Sequence, residues 1–393
     1  MLSKEIAVNV KGGSMIRKMF EEGNRLKAIY GAENVFDFSL GNPDGEPPME
    51  TLQAIQNLAA QPDMHKYMPN AGYPDVREAM AAHEAARAGV PVEGKHVVMT
   101  VGAAGGLNCV LKALLNPGDE VICLAPFFVE YTYYIRNYQA VPVIVNVNSE
   151  TFQPDAEAIL KAITPRTRAI IVNSPNNPTG AVYTREVLEK VNEALKQGEK
   201  EQNLEDPIAV ISDEPYSKLI YDGEVVPVMS VFDNAIVVNS FSKSLALPGE
   251  RIGYVAVSPK CKEAEEVVGG IVFANRTLGF VNAPGIMQRA VAQTLDAKVD
   301  VEEYRWRRDR LHGILTSAGF SCNLPQGAFY LFPKAPIADD KAFSAEAAKL
   351  NLLLVPGSGF YGPGFVRLAY CVGRQVIENS EEAFHKLGKI YFG

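Results

Sequence analysis

Seven short apolar runs between residues 96 and 258 constrain the fold of this 393-residue chain more than any other feature. The runs are rich in valine and isoleucine, and helix-like segments separate most of them. In chain order they are HVVMTVG, EVICLAP, VPVIVNV, AIIVNSP, IAVISDEP, AIVVNSFS and IGYVAVS. Continuous apolar runs, rather than strict alternation, are typical of strands that are covered on both faces. The sequence therefore predicts an α/β fold with a mostly parallel, doubly wound sheet.

The C-terminal part of the chain has a different pattern. A long helical segment, VEEYRWRRDRLHGILTSAG, precedes three further strand-like runs, AFYLFPK, LNLLLVP and FVRLAYC. This pattern is typical of a smaller α+β unit. We predict a large domain over residues 46–285 and a small domain over residues 1–45 and 286–393, built from both ends of the chain.

Composition argues against several classes of function. The net charge of −8, from 38 lysines and arginines against 46 acidic residues, argues against a surface that tracks nucleic-acid phosphates. The five cysteines form no CxxC pair and the five histidines form no HExxH pair, so we predict neither a disulfide framework nor a metal site. MLSKEIAVNVKGG lacks the apolar core of a signal peptide, and no run is long enough to span a membrane. We therefore expect a cytoplasmic protein.

Reactive and polar side chains follow the apolar runs at the points where the predicted strands end. Ligands in open α/β sheets bind beyond the carboxyl ends of the strands. The residues found there are Gly102 to Gly106, Phe127 and Phe128, Asn176 to Gly180, Asp213 to Tyr216, and Ser240 to Lys243. Each group taken alone fits a turn, a helix cap or core packing. Their occurrence together at one edge of the sheet predicts a binding site.

Lys243 is the residue whose placement most needs an explanation, since lysine is normally solvated. It could be a surface lysine at the start of a helix. It could be the base of a serine hydrolase, because SFSK matches S-x-x-K with Ser240 as nucleophile, but the K-T-G box of such enzymes is absent. It could also form a Schiff base, which requires a lowered pKa of the kind that burial and a nearby cation such as Arg251 produce.

The third interpretation explains the most residues, because pyridoxal phosphate binds lysine as an imine and needs further partners. Asp213 offers a carboxylate for the ring nitrogen, and Tyr216 and Asn177 offer groups for the phenolic oxygen. The phosphate needs backbone N–H groups at a helix N-terminus, hydroxyl groups and an arginine. The candidates for the phosphate are Gly102, Ala103, Ala104, Ser240, Ser242 and Arg251.

Six motifs spread along almost the whole chain carry a resemblance to a known family. They are SLGNPD at Ser39, KYMPNAGYPDVREA at Lys66, NSPNNPTG at Asn173, SDEPY at Ser212, SFSKSLALPGERIG at Ser240 and VRLAYC at Val366. In this order they resemble the class I aminotransferases, the fold-type I pyridoxal-phosphate enzymes related to aspartate aminotransferase. The resemblance implies a transferase that moves an amino group between an α-amino acid and a 2-oxo acid, with 2-oxoglutarate and glutamate as the expected second pair.

The resemblance also implies roles for single residues at the cofactor. Lys243 is similar to the lysine that holds the cofactor and moves the substrate's α-proton, and Asp213 to the partner of the ring nitrogen. Tyr216 and Asn177 are similar to the ligands of the phenolic oxygen. Phe128 matches the aromatic residue that stacks on the ring, a tryptophan in aspartate aminotransferase.

Three further residues match positions that contact the substrate or the second subunit. Arg367 is similar to the arginine that binds the substrate α-carboxylate, and Gly41 matches a main-chain contact to the substrate. Asn177 is predicted to bind the substrate as well as the cofactor. Tyr67 resembles the tyrosine that reaches the phosphate in the neighbouring subunit, which implies a homodimer.

The amino donor and one alternative activity stay open in the sequence. Family members specific for dicarboxylates use a second arginine from the partner subunit, and Arg276 is a candidate that could equally be a surface residue. Phe127, Tyr131 and Phe360 could instead line an apolar pocket, although such residues are more often core. A pyridoxal-phosphate lyase that eliminates at the β-carbon, for instance by C–S cleavage, would have nearly the same cofactor site. A ligand-sensing regulator would need a DNA-binding module, for which we find no room.

Overall fold

The computed structural model describes residues 1–12 and 15–393. Within them the helices are α1 (Lys4–Gly12), α2 (Met15–Tyr30), α3 (Met49–Ala59), α4 (Pro74–Ala88), α5 (Gly102–Leu114), α6 (Glu130–Arg136), α7 (Ala156–Ala162), α8 (Arg185–Glu201), α9 (Phe241–Ser244), α10 (Ala264–Thr277), α11 (Gly285–Gln293), α12 (Val301–Ser317), α13 (Asp340–Ala348), α14 (Arg374–Asn379) and α15 (Glu381–Phe392). The strands in the same residues are β1 (Phe36–Asp37), β2 (Val97–Thr100), β3 (Glu120–Ala125), β4 (Val141–Asn146), β5 (Thr167–Asn173), β6 (Ala209–Asp213), β7 (Ala235–Ser240), β8 (Gly253–Val257), β9 (Tyr330–Leu331), β10 (Leu352–Leu353), β11 (Val355–Pro356) and β12 (Val366–Ala369).

The seven apolar runs form the central sheet of the described chain, in the order β2-β8-β7-β6-β5-β3-β4. Strand β8 runs antiparallel to both of its neighbours, and the other pairs are parallel. The predicted α/β class with a mostly parallel sheet is therefore confirmed. Helices α6, α7 and α8 connect β3 to β4, β4 to β5 and β5 to β6, whereas a long loop with one short 3₁₀ turn, Val228–Ser230, connects β6 to β7.

Both faces of the sheet are buried, which explains why the runs are apolar without alternation. On β7, Val237 belongs to the core under α4, α7, α8 and α11, whereas Ile236 and Val238 belong to the core under α5, α6 and α10. Successive side chains of a strand point to opposite faces, so a strand covered on both sides needs apolar residues at every position. The helices on the two faces make the sheet doubly wound.

The predicted α+β pattern near the C-terminus forms two small sheets. Strand β1 pairs in parallel with β10, and β12 lies between β11 and β9 in antiparallel pairing. A separate apolar core joins these strands to α12, α13 and α15. Strand β1 brings the N-terminal segment onto this unit, so both chain ends contribute to it.

The predicted domain boundaries stay a prediction, and helix α11 bears on one of them. We assign α11 to the small domain, but Met287 and Val291 pack in the core with α4 and α8, and Ala290 packs with α3. The core of the small unit begins with Val299, just before α12. This packing favours a boundary between the large and the small domain near residue 299, and not near residue 285.

Within the described residues, every helix is too short or too polar to span a bilayer.

Gly253 in β8 packs closely against Gly102, the first residue of α5, and a substitution at Gly253 tests this packing. A Cβ at this position would collide with the backbone carbonyl of Asn239 and lie 3.0 Å from the Gly102 Cα. Because backbone atoms cannot rotate away, Gly253→Ala is expected to lower the free energy of unfolding by roughly 1–3 kcal/mol, as overpacked cores do. Chemical denaturation measures the change.

Gly249→Ala is the matched control, since a Cβ at Gly249 meets no atom within 4 Å. Equal denaturation midpoints for the two variants would contradict the packing argument.

Candidate active site

A cavity of about 640 Å³ opens at the carboxyl ends of the central strands, and it holds most of the predicted site. All but two of the predicted site residues line it. They are Gly41, Ala103, Ala104, Phe128, Asn177, Asp213, Tyr216, Ser240, Ser242, Lys243, Arg251 and Arg367. Residues from three widely separated parts of the chain therefore meet at one place. The two that do not line the cavity are Gly102, which lies behind Arg251, and Tyr67.

Lys243 enters the cavity from the short helix α9, directly after β7. Its Nζ donates to the Gly41 carbonyl at 2.9 Å and lies 5.4 Å from the centre of the Phe329 ring. Burial is the main cause that lowers the pKa of Lys243 to about 8, and the charges of Arg367 and Arg251 act in the same direction. The uncharged fraction of this amine near neutral pH is thus far larger than that of an exposed lysine, as a nucleophilic lysine requires.

The serine-hydrolase interpretation requires Lys243 to act on Ser240. Among the described residues the Lys243 amine bonds to Gly41, and no hydrogen bond joins it to the Ser240 hydroxyl. The geometry gives no support to a Ser–Lys pair.

Asp213 ends β6 with one carboxylate oxygen held and the other available. The Tyr131 hydroxyl donates to Oδ2 at 2.5 Å, while Oδ1 is buried and has no hydrogen-bond partner in the described chain. Burial raises the pKa of Asp213 to about 7, the bond from Tyr131 opposes this shift, and the charge of Glu214 adds to it. Asp213 lines the cavity, and an orphaned buried oxygen there suits a donor that the chain itself does not supply. A protonated pyridine nitrogen fits it.

Tyr131 is a residue whose role the sequence analysis missed. We considered it as a possible wall of an apolar pocket, and it does line the cavity, but its hydroxyl serves Asp213. Phe127 and Phe360, considered with it, do not line the cavity. Phe127 stacks on Tyr361 with ring centres 4.8 Å apart, and Phe360 packs against Arg367.

Asn173, at the end of β5, fixes the two neighbouring segments of the site. Its Nδ2 donates to the Asp213 carbonyl at 2.7 Å, and its Oδ1 accepts from the Asn177 backbone N–H at 2.8 Å.

Tyr216 and Tyr330 share a hydrogen bond of 2.8 Å between their hydroxyl groups. The position of Asn173 at a strand end was visible in the sequence, whereas no sequence signal pointed to Tyr330.

The N-terminus of α5 and Arg251 form a cradle suited to an anion. Gly102 begins α5 with φ of 76°, and a Cβ there would lie 2.8 Å from Nη2 of Arg251. Arg251 itself has φ of 51° and donates from Nη1 to the Pro248 carbonyl at 2.8 Å. Backbone N–H groups at a helix start and a guanidinium are a natural phosphate site, and Ser240 and Ser242 line the same cavity.

Arg367 is a buried guanidinium held between two aromatic rings. Its Cζ lies 4.6 Å from the centre of Tyr330 and 4.5 Å from the centre of Phe360. Nη1 donates to the Asn177 side chain at 3.2 Å and Nη2 to the Ser39 carbonyl at 2.7 Å, while Nε is buried without a partner. In the described residues no carboxylate pairs with it, so this cation is available for the carboxylate of a ligand.

Two predicted residues lie on the surface of the single chain. Tyr67 is 93% exposed. Arg276 is exposed and lies over the ring of Phe273 at 5.2 Å, outside the cavity.

The pKa of Asp213 generates a prediction about stability without the cofactor. A carboxyl group whose pKa rises on folding destabilises the folded state above its unfolded pKa of about 3.9, and the penalty is complete above about pH 7. Asparagine carries no charge, so the cofactor-free Asp213→Asn protein is expected to be more stable than the parent at pH 8 by roughly 1–2 kcal/mol. Thermal unfolding between pH 4 and pH 8 measures this difference, which should vanish at the acid end.

The control is Asp63→Asn, because Asp63 forms only an exposed ion pair with Lys66. A lower stability of Asp213→Asn at pH 8 would show that the buried carboxylate is compensated by interactions beyond those with Tyr131.

Comparisons with known proteins agree with this geometry. Residues 33–384 match the family Aminotransferase class I and II. The aspartate/prephenate aminotransferase of Thermus thermophilus is 36% identical over 98% of this chain and 96% of its own. A solved aminotransferase from Eubacterium rectale superposes with a TM-score of 0.96 at 38% identity over the whole of both chains. The aspartate aminotransferase of Thermus thermophilus, solved with maleate, gives 0.87 at 31% identity over 98% of this chain and 99% of that one. The chain belongs to the class I and II aminotransferases, which are pyridoxal-phosphate-dependent enzymes.

Proposed function

We propose that this aminotransferase exchanges the amino group of an α-amino acid with a 2-oxo acid in the cavity around Lys243. The observation that carries the assignment of the site is that Lys243 and Asp213, whose Oδ1 has no partner, line one cavity. Bound pyridoxal phosphate would supply an aldehyde that condenses with amines and a ring that withdraws electrons from the substrate α-carbon.

Lys243 is proposed to hold the cofactor and to move the α-proton. Its pKa of about 8 leaves the amine partly unprotonated near neutral pH, so Nζ can accept a proton from the substrate α-carbon. The Gly41 carbonyl and the Phe329 ring hold the amine in the cavity. These two contacts limit the movement of the Lys243 side chain before any ligand binds.

Asp213 and its neighbours are proposed to hold the cofactor ring. The free oxygen of Asp213 would accept from the ring nitrogen, and Tyr131 fixes the orientation of the carboxylate. Tyr216 and Asn177 would bind the phenolic oxygen, and Phe128 would stack on the ring. The phosphate would bind the anion cradle of Gly102, Ala103, Ala104, Ser240, Ser242 and Arg251.

Arg367 is proposed to bind the substrate α-carboxylate. A guanidinium offers two parallel donors to a carboxylate, and lysine would not reproduce this geometry. The rings of Tyr330 and Phe360 lie against its guanidinium, and the absence of a side chain at Gly41 lets the Tyr330 hydroxyl pack there, since a Cβ would collide with it. Removal of water from this site strengthens the charge pair.

We propose that the enzyme is a cytoplasmic homodimer and that Tyr67 acts in the second subunit. The support is the family resemblance of the KYMPNAGY segment and the exposure of Tyr67, which makes no contact with the cavity of its own chain. Glutamate and 2-oxoglutarate as one substrate pair stay a prediction from the same resemblance.

The role of Lys243 is tested by its replacement with alanine. The purified enzyme is expected to be yellow and to show the visible absorption of a protein-bound imine, and Lys243→Ala is expected to lose this band. Activity should fall by about 10⁴-fold or more, because the variant lacks both the amine and the proton acceptor. The assay supplies an amino acid panel with 2-oxoglutarate or pyruvate and measures the new amino acid.

Two outcomes would count against this assignment. A colourless enzyme that binds no added cofactor would remove its basis. Release of ammonia and a 2-oxo acid without any acceptor would favour a lyase.

The proposed homodimer gives a separate expectation for Tyr67. Loss of its hydroxyl in Tyr67→Phe is expected to weaken cofactor binding by about 10-fold, since one hydrogen bond to a charged phosphate oxygen is lost. Equilibrium dialysis of the cofactor measures the effect, and light scattering measures the mass of the assembly. Tyr30→Phe, at another exposed tyrosine, is the control. A monomeric active enzyme would refute the role.

A further inference from the structure

Glu130 is a charged side chain of the cavity that the proposed function leaves without a partner. Among the described residues, the carboxylates, ammonium groups and guanidinium groups that line the cavity belong to Glu130, Asp213, Lys243, Arg251 and Arg367. The last four serve the cofactor or the α-carboxylate in the proposed function. Glu130 serves neither.

The surroundings of Glu130 do not satisfy its charge. It begins α6 two residues after Phe128 and is half-buried. Its carboxylate makes no hydrogen bond or ion pair with any residue that the structure describes, and burial raises its pKa. Removing a carboxylate from water without a partner has a cost, which is recovered only when a partner arrives.

The facing wall of the cavity offers no such partner. Helix α5 packs against α6, and the side chains of α5 that line the cavity are Ala103, Ala104 and Leu107. None of them carries a donor. Leu40, from the segment before Gly41, adds another apolar side chain to the lining. The cavity thus combines apolar surface with one unpaired negative charge.

We propose that Glu130 selects amino donors whose side chain ends in a cation, an amine or a guanidinium on an aliphatic stem. The inference rests on the proposed function, since it takes Arg367 as the site of the α-carboxylate and Lys243 as the reacting amine. Apolar walls suit the methylene stem, and the carboxylate suits the cationic end.

The experiment compares lysine with norleucine, which has the same stem without the charge, and includes glutamate as the donor that the proposed function predicts. The holoenzyme is mixed with each donor without an acceptor, so that the rate reports on the donor alone. The rate at which the visible absorption of the cofactor disappears gives the specificity constant. Dissociation constants of 2-methyl-lysine and 2-methyl-norleucine, which cannot lose an α-proton, give a second readout that is independent of turnover.

Glu130→Gln is the test variant, and Glu224→Gln, an exposed glutamate outside the cavity, is the matched control. The parent is expected to prefer lysine to norleucine by about 10-fold or more, as a charged hydrogen bond predicts. Glu130→Gln should lower the constant for lysine by about 10- to 100-fold and leave norleucine within about threefold. Glu224→Gln should change neither constant.

The outcomes distinguish this inference from the function on which it rests. A specificity constant for lysine no higher than that for norleucine in the parent, or an unchanged lysine-to-norleucine ratio in Glu130→Gln, overturns the role of Glu130 and leaves the aminotransferase site intact. Failure of every donor to change the cofactor absorption overturns the proposed site and this inference together.

Discussion

The parallel register of β5, β6 and β7 is the constraint on which the rest of the site depends. Asn173 pairs with Asp213 across β5 and β6, and the next strand ends at Ser240, three residues before Lys243. Because parallel strands end at the same edge, these side chains meet without any adjustment of the loops. The Asn173 side chain then ties the Asp213 and Asn177 backbones together. A slip of one residue would turn Asp213 into the apolar core.

A buried ionic cluster supports this edge from behind. Arg87 donates to Glu214 at 2.5 Å and to Glu84 at 2.8 Å, and the Tyr254 hydroxyl donates to Glu84 at 2.6 Å. The Ser212 hydroxyl also donates to the Glu214 carboxylate at 2.8 Å. Buried charges of this kind add little net stability, but removing one partner is costly. The cluster therefore links α4 to β6 and β8 directly beneath Asp213.

Burial shifts the pKa values of two cavity residues, Asp213 and Lys243, in opposite directions. It raises the pKa of Asp213 to about 7 and lowers that of Lys243 to about 8, so both groups lie near the point at which they change charge. The cofactor-free cavity thus contains groups that are poorly solvated and poorly paired, as is common at functional sites. A bound ligand that supplies the missing partners stabilises the folded protein as it binds.

The sequence by itself determined the fold class and predicted most of the side chains that line the candidate cavity, because apolar runs specify the strands and short motifs specify the residues that follow each strand. Asp213, Lys243 and the anion cradle were predictable because they lie within a few residues of a strand end. The tertiary structure alone decided the contacts between distant segments: the Tyr131 hydroxyl on Asp213, Tyr330 beside Arg367, and the unpaired carboxylate of Glu130 in the cavity. These depend on the angles at which helices and small sheets pack, which sequence spacing does not specify.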